Sequence, residues 1–193
     1  MPRTWTNAAT AQADALAELD RLAPVLDRLS AVFDGAGHEL YLVGGPVRDA
    51  LLGCPSHDLD FTTSARPDEI ERLLRKLSRR TWDMGREFGT IGAMVSAAGD
   101  TYAVEITTFR ADAYDPTSRK PVVAFGDSLD DDLRRRDFTV NAMAIRLPGR
   151  GFVDPFGGVV DLATGRLRTP STPEVSFSDD PLRMLRAARF AAR

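Results

Sequence analysis

Gly44-Gly45-Pro46-Val47-Arg48-Asp49-Ala50-Leu51-Leu52-Gly53, followed after a short polar bridge by Asp58-Leu59-Asp60, is the stretch around which the 193-residue chain is arranged. The apolar run Leu40 to Val43 reads as a buried strand that delivers the chain into the glycine pair. Pro46 suits the first helical position, where its missing N–H costs nothing, and Gly53 suits the position just past a helix end. The spacing therefore predicts a strand, a glycine turn and a short helix over Val47 to Leu52. Asp58 to Thr63 then alternates Asp58, Asp60 and Thr62 against Leu59, Phe61 and Thr63. In a strand both carboxylates point to one face, about 7 Å apart along the chain.

These residue types suit one chemistry when taken together. Backbone N–H groups at a glycine turn and helix start can hold phosphate oxygens where bulkier residues block approach, and Gly44 and Gly45 fit that role. Arg48, one turn into the helix, carries a guanidinium fork that takes phosphate oxygens bidentately. Two carboxylates on one face hold divalent ions flanking a transferring phosphoryl group, which makes Asp58 and Asp60 the candidate metal ligands. Two glycines alone would as readily be a structural turn, and a lone Asp-x-Asp is usually solvated. Their close succession reads as a phosphate cradle joined to a metal site.

Upstream, Leu16, Leu19, Leu22, Leu26, Leu29 and Phe33 recur at steps of three and four, predicting helix from Ala8 to about Ala36, divided or kinked at Pro24. This segment reads as an amphipathic brace. Downstream, Pro67-Asp68-Glu69 opens a helix whose buried face is Ile70, Leu73, Leu74 and Leu77. Thr90 to Val95 and Thr101 to Phe109 read as paired strands turning at Ala98-Gly99-Asp100. Glu105 lies in the second of these among apolar and hydroxylated residues, where an unpaired charge is costly, so it is expected to have a cation or a donor. It is the candidate third carboxylate, placed to receive the proton of an attacking hydroxyl.

Arg110 to Pro121 reads as a mobile loop, Asp127 to Leu133 as an acidic helix, Ala142 to Leu147 as a strand, and Gly151 to Arg168 as a hairpin around Phe156-Gly157-Gly158. Ser178-Asp179-Asp180-Pro181 carries the capping side chains and proline of a helix start. The chain then stops at Arg193 inside a helical pattern, which reads as truncation before a further domain.

Composition bounds the alternatives. Hydrophobic residues make up 43% and charged residues 27%, and no apolar run approaches the length of a membrane span. No secretory signal opens the chain, which points to the cytoplasm. Cys54 is the single cysteine, so internal disulfides and thiolate metal clusters are excluded; His38 and His57 lack zinc spacing. The net charge of -3 argues against a surface that grips nucleic acid throughout.

Four ordered segments carry a resemblance. They are Gly44 to Asp49 with Asp58-Leu59-Asp60, Arg135-Arg136-Asp137-Phe138-Thr139-Val140-Asn141-Ala142, Asp154-Pro155-Phe156-Gly157-Gly158, and Asp179 to Phe190. In order they resemble the motifs of bacterial class II tRNA nucleotidyltransferases, the CCA-adding enzymes and their poly(A) polymerase relatives in the polymerase-beta-like superfamily. The similarity covers roughly residues 38 to 193. It implies an α+β fold: a nucleotidyltransferase head with a mixed, mainly antiparallel sheet flanked by helices, over 37–170, preceded by a helical segment, 1–36, and followed by the start of a helical neck, 171–193.

By position, Asp58 and Asp60 match metal ligands, and the family implies Mg2+, with a two-metal site. Gly45, Arg48 and Arg136 match nucleotide contacts, Asp137 and Asn141 the ribose-positioning residues, and Asp180, Arg183, Arg186 and Arg189 the nucleotide-reading helix. The partners implied are CTP, ATP and the 3′-end of tRNA. The activity implied is CCA addition, with poly(A) addition as the runner-up and nucleotide binding without transfer as the reading of another class. Asp179 and Pro46 depart from the commoner Glu and Ala.

The last motif also makes physical sense. Asp180 and Arg183, three apart and hence neighbours on one helical face, offer an acceptor beside a donor. Cytosine and adenine each present an amino donor next to a ring acceptor; uracil and guanine present the opposite order and would leave buried polar groups unmatched, at about 1 to 3 kcal/mol each.

Overall fold

A computed structural model describes residues 7–54, 57–111 and 124–192. Helices α1 (Ala8–Leu19) and α2 (Ala23–Asp34) are separated by a 3-10 turn at Asp20–Leu22. Pro24 sits in the first turn of α2, where no N–H is required, so it divides the two helices as its chemistry predicts. Strand β1 (Leu40–Val43) leads through Gly44 into α3 (Gly45–Leu51), and β2 (Asp58–Thr63), α4 (Pro67–Leu74), β3 (Thr81–Trp82), β4 (Thr90–Ala97) and β5 (Asp100–Thr108) follow. The chain closes with α5 (Leu129–Arg134), a 3-10 turn at Thr139–Asn141, β6 (Ala144–Leu147), β7 (Phe152–Val153), α6 (Gly158–Ala163), α7 (Pro173–Asp179) and α8 (Leu182–Ala191).

The seven strands form one sheet in the order β3-β4-β5-β2-β1-β6-β7. β2 and β5 run parallel, and every other neighbouring pair is antiparallel. Alternation divides the faces. Leu40, Leu42, Leu59, Phe61, Ile91, Ala93, Val104 and Ile106 turn inward beneath α1, α2, α3 and α4, forming the main core with Leu26, Leu29 and Phe33. On the opposite face, Tyr41, Val43 and Ala144 pack with Phe109, Leu133 and Ala142 in a smaller cluster. The rest of that second face, where Asp58, Asp60 and Glu105 lie, stays open.

Two expectations are corrected. Residues 151–168 do not form a hairpin: β7 pairs with β6, and Phe156-Gly157-Gly158 turns into α6 instead of into a returning strand. Asp154 causes this by accepting from the N–H groups of Gly158 (2.7 Å) and Val159 (3.0 Å), which caps a helix start. A helix the sequence reading omitted, α7, begins at the Thr172 cap, whose hydroxyl accepts from Val175 N–H. The loop expected from Arg110 to Pro121 falls, beyond Ala111, outside the described residues.

Candidate active site

Register assembles the carboxylates. Asp60 lies opposite Glu105 in the parallel pair, and Asp58 opposite Ala103, so all three carboxylates share the open face. Although Asp60 is exposed on this face, desolvation by the surrounding protein holds its carboxyl above its ordinary value of about 3.8; Arg136 pulls it back, while Glu105 and Asp58 push it further up. The predicted partner of Glu105 is not found among the described residues: its side chain is exposed and solvated, so strand burial does not exact the penalty expected. Among the described residues no three His, Cys, Asp or Glu side chains stand close enough to enclose an ion alone.

Beside this face lies the glycine turn. Gly44 has φ +70°, a left-handed conformation that glycine adopts without strain, and its N–H donates to the Met143 carbonyl at 3.3 Å. That N–H is spent on the fold. A Cβ at Gly44 would lie 3.0 Å from Nη1 of Arg136, so the missing side chain lets the guanidinium close over the turn. Arg136 is held from the other side by Asp132, 1% exposed, whose carboxylate accepts from Arg136 Nη2 at 3.1 Å and from Arg110 N–H at 3.2 Å. The buried Nε of Arg136 has no hydrogen-bond partner.

A second network joins α3 to α8. Arg48 donates through Nε and Nη2 to Asp49 Oδ1 (2.9 and 2.7 Å) and through Nη1 to Asn141 Oδ1 (2.6 Å). Asn141 donates in turn to Asp137 Oδ1 at 3.0 Å, and Arg186 grips Asp137 Oδ2 with Nε at 2.7 Å and Nη2 at 2.6 Å. Phe190 closes the group, with its ring 5.2 Å from the Arg48 guanidinium carbon, 5.5 Å from the Phe138 ring and 5.8 Å from Arg189. A cleft of about 460 Å3 opens here, lined by Arg48, Asp49, Leu52, Val140 and Phe190 among others.

Asp180 and Arg183 are placed differently from the helical face the spacing suggests. Asp180 is extended and precedes α8, its carboxylate accepting from Leu182 N–H at 3.0 Å. Arg183, 7% exposed, donates through Nη1 to Ser176 Oγ (2.7 Å) and through Nη2 to the Arg135 carbonyl (2.6 Å). It borders a separate cleft of about 420 Å3 with Arg134, Arg135, Val175 and Asp179.

Residues 40–168 match the family of the poly A polymerase head domain. The chain belongs to that family. The chain is 45% identical over 171 residues to the CCA-adding enzyme of Lacticaseibacillus paracasei, covering 88% of this chain and 40% of that protein. It superposes on the Bacillus stearothermophilus CCA-adding enzyme in complex with CTP with a TM-score of 0.71 and 38% identity, over 86% of this chain and 38% of the other. Against the Thermotoga maritima enzyme complexed with tRNA the TM-score is 0.67 and the identity 33%, over 86% and 36%. The chain spans about two fifths of the length of the curated relatives it matches. The polymerase-beta-like head expected from the sequence is thus the observed fold.

Several residues of these networks were not singled out by sequence reasoning. Asp132 hides in the run Asp130-Asp131-Asp132, and its only local signal is its place four residues before Arg136 in a helical stretch. Asp49, Ser176 and Phe190 draw their roles from partners distant in sequence, which a single chain of letters does not display.

Proposed function

We propose that the protein transfers CMP and AMP from CTP and ATP to the 3′-end of tRNA, releasing pyrophosphate, a reading supported by its likeness to longer proteins named CCA-adding enzyme. It would act in the cytoplasm, as a head over 37–170 joined to the first helices of a neck over 171–193. The observation that carries the reading is the Asp58, Asp60 and Glu105 face, set by strand register, where desolvation and the two neighbouring carboxylates hold the Asp60 carboxyl up against the pull of Arg136.

Asp58 and Asp60 would hold Mg2+, which suits hard oxygen donors and commonly takes only one or two protein carboxylates, substrate phosphates and water completing its shell. When bound, the ion supplies charge stabilisation at the phosphoryl oxygens and acidifies the attacking hydroxyl. Arg136, with its unsatisfied Nε, and Arg48 hold the phosphates of the nucleotide. Asp137 and Asn141, locked to Arg186 and Arg48, fix the ribose. Glu105 receives the proton of the 3′-hydroxyl. Asp180 and Arg183 select the base edge, and Arg183 exchanges bonds to neutral acceptors for bonds to the base, so no buried ion pair has to be broken.

The test is incubation of the full-length protein with tRNA lacking its terminus and each labelled nucleotide in turn. CMP and AMP are expected to be incorporated, and UMP and GMP not. AMP alone would replace this reading by A addition, and no incorporation of either would overturn both.

A further inference from the structure

The open face of the sheet continues past the carboxylates to its free edge. Register places Trp82 of β3 opposite Gly92 of β4, Gly92 opposite Glu105 of β5, and Glu105 opposite Asp60 of β2. Paired residues on neighbouring strands point to one face, so these four form a row across the sheet. The indole fills the space above Gly92: a Cβ there would lie 2.0 Å from Cε2 and 2.2 Å from Nε1 of Trp82. With strands about 5 Å apart, a ring over Gly92 stands one strand from Glu105 and two from Asp60.

The next row on that face is Met94, Ala103 and Asp58. Met94 N–H donates to the Arg80 carbonyl at 3.0 Å. There Arg79, Arg80, Met94, Ser96 and Thr101 border a groove of about 310 Å3. Neighbouring arginines are neutralised, Arg72 by Glu69, Arg75 by Glu71, and Arg86 by Glu71 and Asp68. Among the described residues, Arg79 and Arg80 have no carboxylate partner.

Direction decides what this surface suits. The candidate phosphate ligands Gly45, Arg48 and Arg136 gather on the β1 side of β2, and Trp82 with its arginines lies on the β5-β4-β3 side. Attacking and leaving oxygens of a phosphoryl transfer lie roughly in line. The acceptor therefore approaches from the side away from the pyrophosphate, over Glu105. A stacking surface beside a cationic groove is the combination that holds single strands without regard to sequence.

We propose that Trp82, Arg79 and Arg80 form a track for the single-stranded 3′-end of the RNA acceptor, the indole stacking a terminal base and the guanidiniums taking the phosphates behind it. This rests on the reading of the protein as a nucleotidyltransferase that acts on RNA 3′-ends. The probe is a short single-stranded RNA with a free 3′-hydroxyl, with the full-length protein. Trp82→Ala raises the KM for this RNA roughly five- to a hundredfold and leaves the KM for CTP in place, and Trp82→Phe recovers most of the loss. Because removal of the indole uncovers Gly92, the exposed double substitution Arg79→Ala/Arg80→Ala serves as the second arm. It weakens binding and flattens the slope of log affinity against log salt by about 1.4, two phosphates' worth. RNA affinity is also read without nucleotide. Equal RNA affinity in native protein and all three variants would overturn the track, whereas a native protein that binds RNA and transfers nothing would overturn the proposed function.

Discussion

The two sides of β2 handle charge in opposite ways. Toward β5, Asp60 and Glu105 are set side by side by strand register, and desolvation of Asp60, to which the neighbouring Glu105 and Asp58 charges add, holds its carboxyl above the ordinary range against the pull of Arg136. Toward β1 and α8, the guanidiniums are occupied: Arg48 by Asp49 and Asn141, Arg136 by Asp132, Arg186 by Asp137, and Arg183 by Ser176 and a carbonyl. A surface built to receive a cation keeps carboxylates close on rigid strands, because the ligand itself relieves the strain. A surface built to receive an anion can park its arginines on acids and carbonyls that a phosphate or base later replaces, so the empty site does not carry a row of bare cations.

The largest test of this contrast is Asp60→Asn. Loss of the charge is expected to lower transfer about a thousandfold or more, because the charge proposed to hold the metal disappears. Stability should move the other way. A carboxyl whose folded pKa lies above its unfolded value binds its proton more tightly in the native state, so stability is greatest at low pH and falls as pH rises through the window just above the ordinary aspartate range. Asp60→Asn removes that loss, and its thermal midpoint at neutral pH without metal should equal or exceed that of the native protein. Millimolar Mg2+ should raise the native midpoint and leave the variant's in place. A variant less stable than native, with an unchanged response to Mg2+, would break the cation half of the comparison.

The anion half is tested at Arg183, which is either a strut or a reader. Arg183→Ala leaves Ser176 Oγ and the Arg135 carbonyl without their donors and is expected to cost about 1 to 3 kcal/mol in denaturant titration. A strut would show that loss alone. A parked reader also loses discrimination, and the preference for CTP over UTP should fall roughly ten- to a hundredfold in kcat/KM. Full preservation of that ratio would assign base selection elsewhere.

The same division governs what could be read in the sequence. β1 and β2 were legible to the residue, β1 as a short apolar run and β2, with the shared face of Asp58 and Asp60, by period-two alternation, because both signals are local. That Asp60 would face Glu105 was not, since parallel pairing of β2 with β5 joins residues 45 apart. Phe156-Gly157-Gly158 carries the letters of a hairpin turn, yet a Cβ at Gly158 would lie 2.2 Å from the Thr139 carbonyl oxygen. The glycine serves close packing of α6 against the turn that carries Asn141, which is a tertiary fact. The place of Arg183 was likewise hidden: spacing put it beside Asp180, while Ser176 and Arg135, contributed by α7 and the end of α5, draw it inward.

The smallest expected effect separates the two glycines that introduce α3. Gly44 is at φ +70° with Arg136 Nη1 3.0 Å from where a Cβ would be, whereas a Cβ at Gly45 would meet nothing nearer than Arg48 Nη2 at 3.8 Å. Gly44→Ala therefore pays for a positive-φ backbone outside the left-handed helical region, about 1 to 3 kcal/mol, and displaces the far end of the Arg136 side chain. Gly45→Ala suffers neither penalty, and restricting the unfolded chain should leave stability unchanged or raised by about 0.5 kcal/mol. Its added methyl nonetheless projects toward the Arg48 guanidinium, where a phosphate bridging the turn and that fork would sit. If Gly45 lines the phosphate cradle, Gly45→Ala raises the KM for CTP several-fold in a protein that melts no earlier than native. If the KM is unmoved while Gly44→Ala raises it, nucleotide contact belongs to Arg136 and the turn's shape, and the small size of Gly45 has no part in binding.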